Sequence, residues 1–321
     1  RERPSKILFP GSETSNNYSL SADLSFEVDL WGKLRRATQA AQSDLLETEA
    51  AYRTVTISLL ANVAIVYFLL RDLDGRLQIS RDKVKSSTES LKIIQARFDK
   101  GTVPELDVNQ AEIELAIAEA AVSAFERQTV QAENALQFLL GRNPGPIQRG
   151  LPLEQQVMPS DIPVGLPSEL LQRRPDLVEA EERLISETAL IGVAEALRYP
   201  SIGLTGSLGL LSDDFSDLTD SDAKTWSIAG GLFAPIFNSG QLKAQAEGQR
   251  ARTEQAMAAY ESALLQAFRE VEDSQIAIRT YDAEHAARLR QARAARNAAR
   301  LSRARYDGGV VDYLEVLDSE R

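Results

Sequence analysis

Two helical patterns of unusual length, each followed by the same turn, constrain the fold of this chain most strongly. Apolar side chains recur at helical spacing over roughly sixty-five residues before residues 97–108 (RFDKGTVPELDV) and again before residues 305–316 (RYDGGVVDYLEV). A helix of that length extends for about 100 Å, far beyond the diameter of a small globular domain. The sequence therefore predicts long antiparallel helical hairpins with a turn at each tip.

The two turns belong to a larger internal repeat. They align at an offset of 208 residues, and the same offset places Gly32 on Gly240. Solenoid repeats have units of about 20–50 residues, so this longer period indicates that a whole strand-plus-helix unit was duplicated. We expect a first repeat over residues 1–166 and a second repeat over residues 167–321.

Three segments alternate between apolar and polar side chains and are predicted to be β-strands. They cover residues 18–30, 200–211 and 225–237. A period of two gives a strand one apolar and one polar face. One such strand alone would fit an ordinary half-buried strand of a sandwich. Their recurrence, with lengths that suffice for a tilted membrane-spanning strand of about 9–11 residues, favours a membrane β-barrel. Tyr18 and Trp226 lie at matching ends, where barrels carry aromatic girdles.

The remaining elements are predicted from helical periodicity and from turn residues. They are a long helix at 33–100, a tip turn at 101–104, a helix at 104–140, a linker at 142–167, a helix at 175–197, a long helix at 240–306, a tip turn at 307–312 and a final helix cut by the chain end. Gly75 is the one position where the first long helix is expected to kink or break. Thr102 and Glu105 have the spacing of a capping box, with Pro104 in the first turn.

Composition and motifs exclude several classes of function. The net charge of −11 and the lack of an extended basic stripe argue against nucleic-acid binding. The chain has no cysteine, and its one histidine, His285, has no second histidine or thiol with which to share a metal. We find no glycine-rich phosphate loop, nucleophile motif or paired-carboxylate signature. We therefore expect no enzyme activity, no cofactor and no metal site.

The nearest candidate for a membrane-spanning helix covers residues 59–70 and contains twelve residues. That length fits a buried helical segment better than a membrane span, which needs about 20 residues. We therefore expect no membrane-spanning helix.

The second tip turn carries the most informative acidic residue, Asp312. Asp312 and Glu315 have capping-box spacing, so the simplest role of the aspartate is to cap a helix. In a symmetric oligomer the same residue would also form a ring of carboxylates, as in cation-selective constrictions. Capping alone explains the residue unless several copies assemble.

Several motifs together resemble one known family. They are FEVDLWGKLRR at residues 26–36, QRRPDL at 172–177, YPS at 199–201, APIFNSG at 234–240 and the two tip turns. The chain resembles the outer-membrane factor family, the TolC-like and OprM-like channels of tripartite efflux pumps and type I secretion systems. The resemblance is greater to the OprM-like lipoprotein branch. Four residues carry its arginine-rich motif: Arg173, Arg174, Pro175 and Asp176.

The resemblance implies a mainly α fold with β-strands and a homotrimer in the bacterial outer membrane. Each copy would give four strands to one β-barrel, and its helices would join an α-barrel that crosses the periplasm. Our three strands would be the second, third and fourth. The first strand, its preceding helix and a lipidated cysteine would lie before Arg1, and the last helix would be cut at Arg321, so we expect an internal fragment.

The resemblance also implies where the functional residues lie. The periplasmic aperture falls on Val310, Val311 and Asp312, with Glu315 close by in the sequence. Family members often carry the aspartate one position earlier, where this chain has Val311. The tip residues that would meet a periplasmic adaptor protein are Gly101, Thr102, Val103, Gly308 and Gly309.

The expected function is a passive exit duct for drugs and other small molecules. The duct would work with the adaptor and with an inner-membrane pump of the RND or ABC type, surrounded by outer-membrane lipid. Two alternatives stay open at this point. One is a type I secretion duct for proteins, and the other is a structural coiled-coil adaptor protein.

Overall fold

A computed structural model describes residues 16–156 and 173–320. Most of the predicted N-terminal loop and part of the predicted linker lie outside these ranges. The regular elements, in chain order, are β1 (Tyr18–Val28), α1 (Lys33–Phe98), α2 (Glu105–Leu139), α3 (Pro175–Ala196), β2 (Ser201–Ser212), β3 (Lys224–Phe233), α4 (Gln241–Asp307) and α5 (Tyr313–Glu320).

The two long helices are continuous, with 66 residues in α1 and 67 in α4. Gly75 lies inside α1, so the expectation of a helix break at this glycine is wrong. Hydrogen bonds of the surrounding helix hold its backbone, and a single glycine costs a helix only about 1 kcal/mol relative to alanine. A glycine alone is too small a perturbation to interrupt a helix of this length.

Two strands end earlier than the alternation predicts. β1 ends at Val28 instead of residue 30, because the carboxylate of Asp29 accepts hydrogen bonds from the backbone N–H groups of Leu34 and Arg35, each at 3.0 Å. These bonds turn the chain into the first turn of α1. β3 ends at Phe233 instead of residue 237. Pro235 lacks the N–H group that a strand ladder requires.

One described helix, α1, contains a stretch long and apolar enough to cross a membrane by length and composition. This finding concerns length and composition alone, so the absence of a membrane-spanning helix stays a prediction. The expectation was based on the twelve residues 59–70, whereas an average over eighteen residues tolerates further polar residues such as Thr56 and Ser58. Only 6% of that stretch is buried. An apolar helical surface is therefore left open to other molecules.

The chain divides into two compact units. The first comprises Arg1–Ala51 and Leu171–Leu265, and the second comprises Tyr52–Leu170 and Gln266–Arg321. α1 and α4 each contribute one part to each unit. This division differs from the two repeats expected from the sequence, which describe a duplication and not a packing unit. The repeats remain a prediction.

In the first unit the three strands form one antiparallel sheet in the order β1-β2-β3. The register pairs Phe26 with Leu204 and Leu204 with Gly230, and one step along it pairs Ser25 with Thr205. Side chains of successive residues point to opposite faces of a strand. The sheet therefore has the apolar face and the polar face that the alternation predicts.

The helices of the first unit pack through small side chains near the start of α1. A Cβ atom on Gly192 of α3 would lie 2.9 Å from Cγ of Arg36, so a larger residue there would require the Arg36 side chain to shift. At the end of α3, the indole of Trp31 donates a hydrogen bond of 2.7 Å to the carbonyl of Pro200 and stacks on Tyr199 at 4.8 Å. These contacts fix the points where strands and helices join.

The second unit contains an apolar cluster that anchors the segment after α2. Its buried members are Leu70 and Leu73 of α1 and Ala132 and Leu136 of α2, with Ile147 packed against them. The guanidinium of Arg149 then pairs with two carboxylates, Asp74 at 3.0 Å and Glu133 at 2.5 Å. Apolar packing and an arginine clamp thus attach this segment to both helices of the hairpin.

Candidate functional site

The first tip turn, in the second unit, closes α1 with a left-handed glycine. Gly101 has a φ of 69°. Its N–H donates to the carbonyl of Phe98 at 2.7 Å, and the N–H of Thr102 donates to the carbonyl of Arg97 at 3.0 Å. This pair of bonds is the Schellman motif, and glycine adopts the required backbone without a Cβ penalty.

The capping box predicted at Thr102 and Glu105 is absent. The Thr102 hydroxyl donates to the carbonyl of Arg97 at 2.8 Å, and Pro104 precedes α2 without a side-chain cap. Because Thr102 is already part of the Schellman turn, its hydroxyl reaches the Arg97 carbonyl that also accepts its own N–H group. It therefore helps to end one helix instead of starting the next.

The second tip turn has the same backbone geometry. Gly309 has a φ of 70°, its N–H donates to Tyr306, and the N–H of Val310 donates to Arg305, both at 3.0 Å. Gly32 and Gly240, which also align at the 208-residue offset, have φ values of 75° and 81°. The two turns that align in the sequence therefore also have the same pair of backbone hydrogen bonds.

The second predicted capping box is also wrong. The carboxylate of Glu315 pairs with the guanidinium of Arg305 at 2.5 Å, and the N–H of Glu315 donates to the backbone carbonyl of Asp312 at 3.1 Å. An ion pair with arginine joins two opposite charges and is stronger than a carboxylate bond to a neutral backbone N–H group. The Glu315 side chain therefore binds Arg305 and does not cap the helix. Within the described residues, the Asp312 carboxylate makes no hydrogen bond or ion pair. It is exposed at the tip.

A buried apolar cluster holds α5 against the first hairpin. Tyr313, Val316 and Leu317 of α5 pack on Ile94 of α1 and Ala111 of α2. Val316 is among the three largest fully buried side chains of the described residues. The second tip turn is therefore tied to the end of the first hairpin by its short following helix.

Polar contacts join the same elements beside the cluster. The Arg97 guanidinium pairs with Asp307 at 3.1 Å and lies 5.3 Å from the centre of the Tyr306 ring. The Tyr306 hydroxyl in turn donates to Oδ2 of Asp107 at 3.5 Å. Three helices, α1, α2 and α4, thus share one contact set of an arginine, a tyrosine and two aspartates.

Burial shifts the proton equilibria of this set. Burial raises the pKa of the Asp107 carboxyl, the nearby Asp312 carboxylate raises it further, and the Tyr306 hydroxyl opposes both. Burial likewise raises the pKa of the Tyr306 phenol, and the Asp107 charge adds to the effect. The phenol therefore stays protonated as a donor at neutral pH.

Sequence reasoning missed Tyr306 and Asp107 as a pair, because it gave neither residue a partner. A signal for the ion pair did exist. Arg97 aligns with Arg305 and Asp99 with Asp307 across the repeat, and the structure pairs the arginine of one turn with the aspartate of the other.

The structure brings the predicted tip residues together but not the arginine-rich motif. Val311 and Val103 are half-buried, and the other predicted tip residues are exposed: Val310, Asp312, Glu315, Gly101, Thr102, Gly308 and Gly309. The motif belongs to the first unit, where the Arg174 guanidinium pairs with Asp176 at 2.7 Å and lowers its pKa. Pro175 is the first residue of α3, so this motif starts a helix.

Comparison with known proteins places these features in a family. The sequence pattern described as "Outer membrane efflux protein" matches residues 5–142 and 166–321. The chain belongs to the outer membrane efflux protein family. This family is one of efflux channels and not of enzymes, and it confirms the resemblance seen in the motifs. Membership also confirms the outer membrane as the location.

Named relatives in the family cover almost all of the chain. It is 36% identical over 311 residues to the solvent efflux pump outer membrane protein SrpC of Pseudomonas putida, an alignment with 97% of this chain and 66% of SrpC. It is 32% identical over 311 residues to the cation efflux system protein CusC of Escherichia coli O6:H1, with 97% of this chain and 67% of CusC. The chain thus spans about two thirds of the length of these relatives.

A solved structure supports the fold. The crystal structure of a membrane protein from Pseudomonas aeruginosa superposes with a TM-score of 0.89 at 35% identity. The match covers 100% of this chain and 76% of that protein. The fold of long helices joined to a short sheet is therefore shared with that membrane protein.

Proposed function

We propose that this chain is the main part of an outer-membrane exit duct that works passively in a tripartite efflux pump. One observation carries the proposal: a sheet with one apolar face joins directly to helices of 66 and 67 residues. The apolar face suits lipid, and the polar face suits a water-filled lumen. The helices are long enough to extend the lumen well beyond the membrane.

The sheet edges support assembly of several copies. Within the described residues, β1 and β3 each pair on one side only. A sheet in lipid must close, because unpaired backbone groups cost several kcal/mol each without water. Three copies, each with a fourth strand from the rest of the protein, would close a barrel. The exposed apolar side chains of α1, such as Ile57, Leu60 and Ile65, would then be covered by neighbouring helices.

The tip contacts support a gate. Tyr306 and Arg97 hold the end of α4 against α2 and α1, and Val310, Val311 and Asp312 lie just beyond that end. Around a three-fold axis these residues would form the periplasmic aperture. Release of the tyrosine and arginine contacts would let the turn move outward and widen it. A ring of unpaired Asp312 carboxylates would favour cations at the narrowest point.

The partners follow from the same arrangement. The exposed turns at Gly101, Thr102 and Val103 and at Gly308 and Gly309 offer the surface for a periplasmic adaptor. An inner-membrane pump of the RND or ABC type would supply the energy, because we find no nucleotide-binding motif in the chain. SrpC and CusC are named for solvent and cation efflux, so relatives that share this duct differ in what their pumps export. We propose drugs and other small molecules as the exported class.

The proposal is tested with the full-length protein, purified in detergent from the outer-membrane fraction. Electron microscopy should show a hollow trimeric cylinder longer than about 100 Å. A soluble monomer or dimer would contradict the proposal.

Planar-bilayer recordings then test the aperture. Asp312→Ala should raise conductance or change cation selectivity. The matched control is Asp318→Ala, which removes an exposed carboxylate from α5. If both variants and the wild type had the same conductance and cation selectivity, Asp312 would not belong to the aperture.

A further inference from the structure

Among the described residues, Asp23 is the acidic side chain on the polar face of the sheet that has no cationic partner. The register places it in one row with Ser207 and Ser227. The hydroxyls of these two serines lie 2.8 Å apart, and Ser21 on the same strand donates to Oδ2 of Asp23 at 3.2 Å. Neutral hydroxyls therefore surround the carboxylate, and its charge is not compensated.

The other charge on this face is compensated. Glu27 follows Asp23 by four residues on the same face of β1, and its carboxylate pairs with Lys33 at 2.6 Å. The remaining polar-face residues of β1, β2 and β3 carry no charge. The lysine within these strands, Lys224, pairs with Leu210 and so belongs to the apolar face. Asp23 thus sets the charge of the polar face.

Small neighbours leave the carboxylate open to solvent. Gly209 pairs with Ser21, beside Asp23, and a Cβ atom there would lie 2.7 Å from the carbonyl oxygen of Leu20. The close approach of β1 and β2 therefore keeps a side chain out of this position. The other neighbours, Ser25 and Thr205, are too short to cover the carboxylate, which is exposed.

We propose that Asp23 is a second cation-selecting residue of the duct, separate from the tip. This inference rests on the proposed function, because the polar face lines a lumen only when the sheet closes in lipid. Closure would then direct Leu24, Phe26 and Ile228 to the lipid and Asp23 to the water-filled interior. One carboxylate per copy becomes a ring of like charges in a symmetric barrel, which raises the local cation concentration.

The test is the reversal potential of the full-length protein in a planar bilayer under a potassium chloride gradient. Asp23→Asn keeps the side-chain size and removes the charge, so the permeability ratio of potassium to chloride should fall at least about twofold. Asp23→Glu should retain the wild-type ratio. Asp220→Asn is the matched control, because it removes a carboxylate from the loop between β2 and β3 and not from the polar face.

The outcomes separate this inference from the proposed function. A wild-type protein without channel activity would overturn both. A conducting Asp23→Asn channel with the wild-type permeability ratio would overturn only the role of Asp23. An equal fall in the Asp220→Asn channel would also overturn it, since position on the polar face would then not matter.

Discussion

The Tyr306 hydroxyl lies 3.5 Å from a carboxylate oxygen of Asp107, although 199 positions separate the two residues in the sequence. This contact between Tyr306 and Asp107, the Tyr306 latch, joins the last turn of α4 to the first turn of α2. The Tyr306 ring also faces the Arg97 guanidinium and lies 5.3 Å from the Tyr313 ring. Tyr306 therefore takes part in both the polar contacts and the apolar packing of the tip.

Tyr306→Phe should loosen the tip without emptying the space that the ring fills. The substitution removes one hydrogen bond, which typically contributes about 0.5–1.5 kcal/mol, so the ratio of open to closed channels should rise about two- to tenfold. Single-channel recording measures this ratio. Tyr281→Phe, at an exposed position of α4, is the control and should leave gating unchanged. Identical gating of both variants would contradict the latch.

The tip should be more stable at acidic pH because of Asp107. Burial holds the pKa of this carboxyl above the ordinary aspartate value of 3.8, so the folded tip binds its proton at a pH where the unfolded chain has lost it. Stability should therefore fall as the pH rises through the folded pKa. Hydrogen exchange of the tip amides against pH measures this dependence. Asp107→Asn should flatten it, and an unchanged slope in the variant would assign the effect to another group.

Arg149→Ala should release the segment that follows α2. The guanidinium bonds both carboxylates of its clamp and also the carbonyl of Ile147 at 2.7 Å. Loss of these bonds should lower the free energy of unfolding by about 1–3 kcal/mol and speed proteolysis near residues 142–150. Arg142→Ala is the control. Arg142 is an exposed arginine of the same segment and has no ion pair among the described residues. Its replacement should change neither the free energy of unfolding nor the rate of proteolysis. Arg149→Lys should rescue only part of the loss, since lysine lacks the planar fork.

Two glycines of the same helical hairpin should respond to alanine in opposite directions. Gly101 has positive φ, so Gly101→Ala should cost about 1–2 kcal/mol of stability. Gly75 lies in the helix interior with no atom within 4 Å of an added Cβ, so Gly75→Ala should stabilise the protein by about 0.5–1 kcal/mol. Thermal unfolding of the two variants compares them directly. A stabilising change at Gly101 would mean that the left-handed turn is not needed.

Features set by local pattern could be predicted from the sequence. The two faces of the sheet follow from alternation, and the tip turns follow from glycines at fixed positions, because each depends on neighbouring residues alone. The capping boxes failed for a physical reason. The Thr102 hydroxyl binds a backbone carbonyl at the end of α1, and the Glu315 carboxylate binds an arginine. Spacing alone does not reveal such competition.

Long-range contacts could not be predicted in this way. The Arg149 clamp joins residues 75 positions apart, and the Tyr306 latch joins residues much farther apart. No pattern within one helix encodes which distant carboxylate will face which donor. The offset of the repeats, which aligns Arg97 with Arg305 and Asp99 with Asp307, was the one long-range signal available.

The matched lengths of the two long helices restrict how this protein can change in evolution. α1 begins at Lys33 and α4 at Gln241, the same offset that separates their closing glycines, Gly101 and Gly309. Inserting one residue into either helix would rotate everything beyond it by about 100° and shift it by about 1.5 Å. Arg97 would then miss Asp307. Lineages that lengthen or shorten the hairpins should therefore do so in both halves together, and unpaired insertions should be confined to the loops.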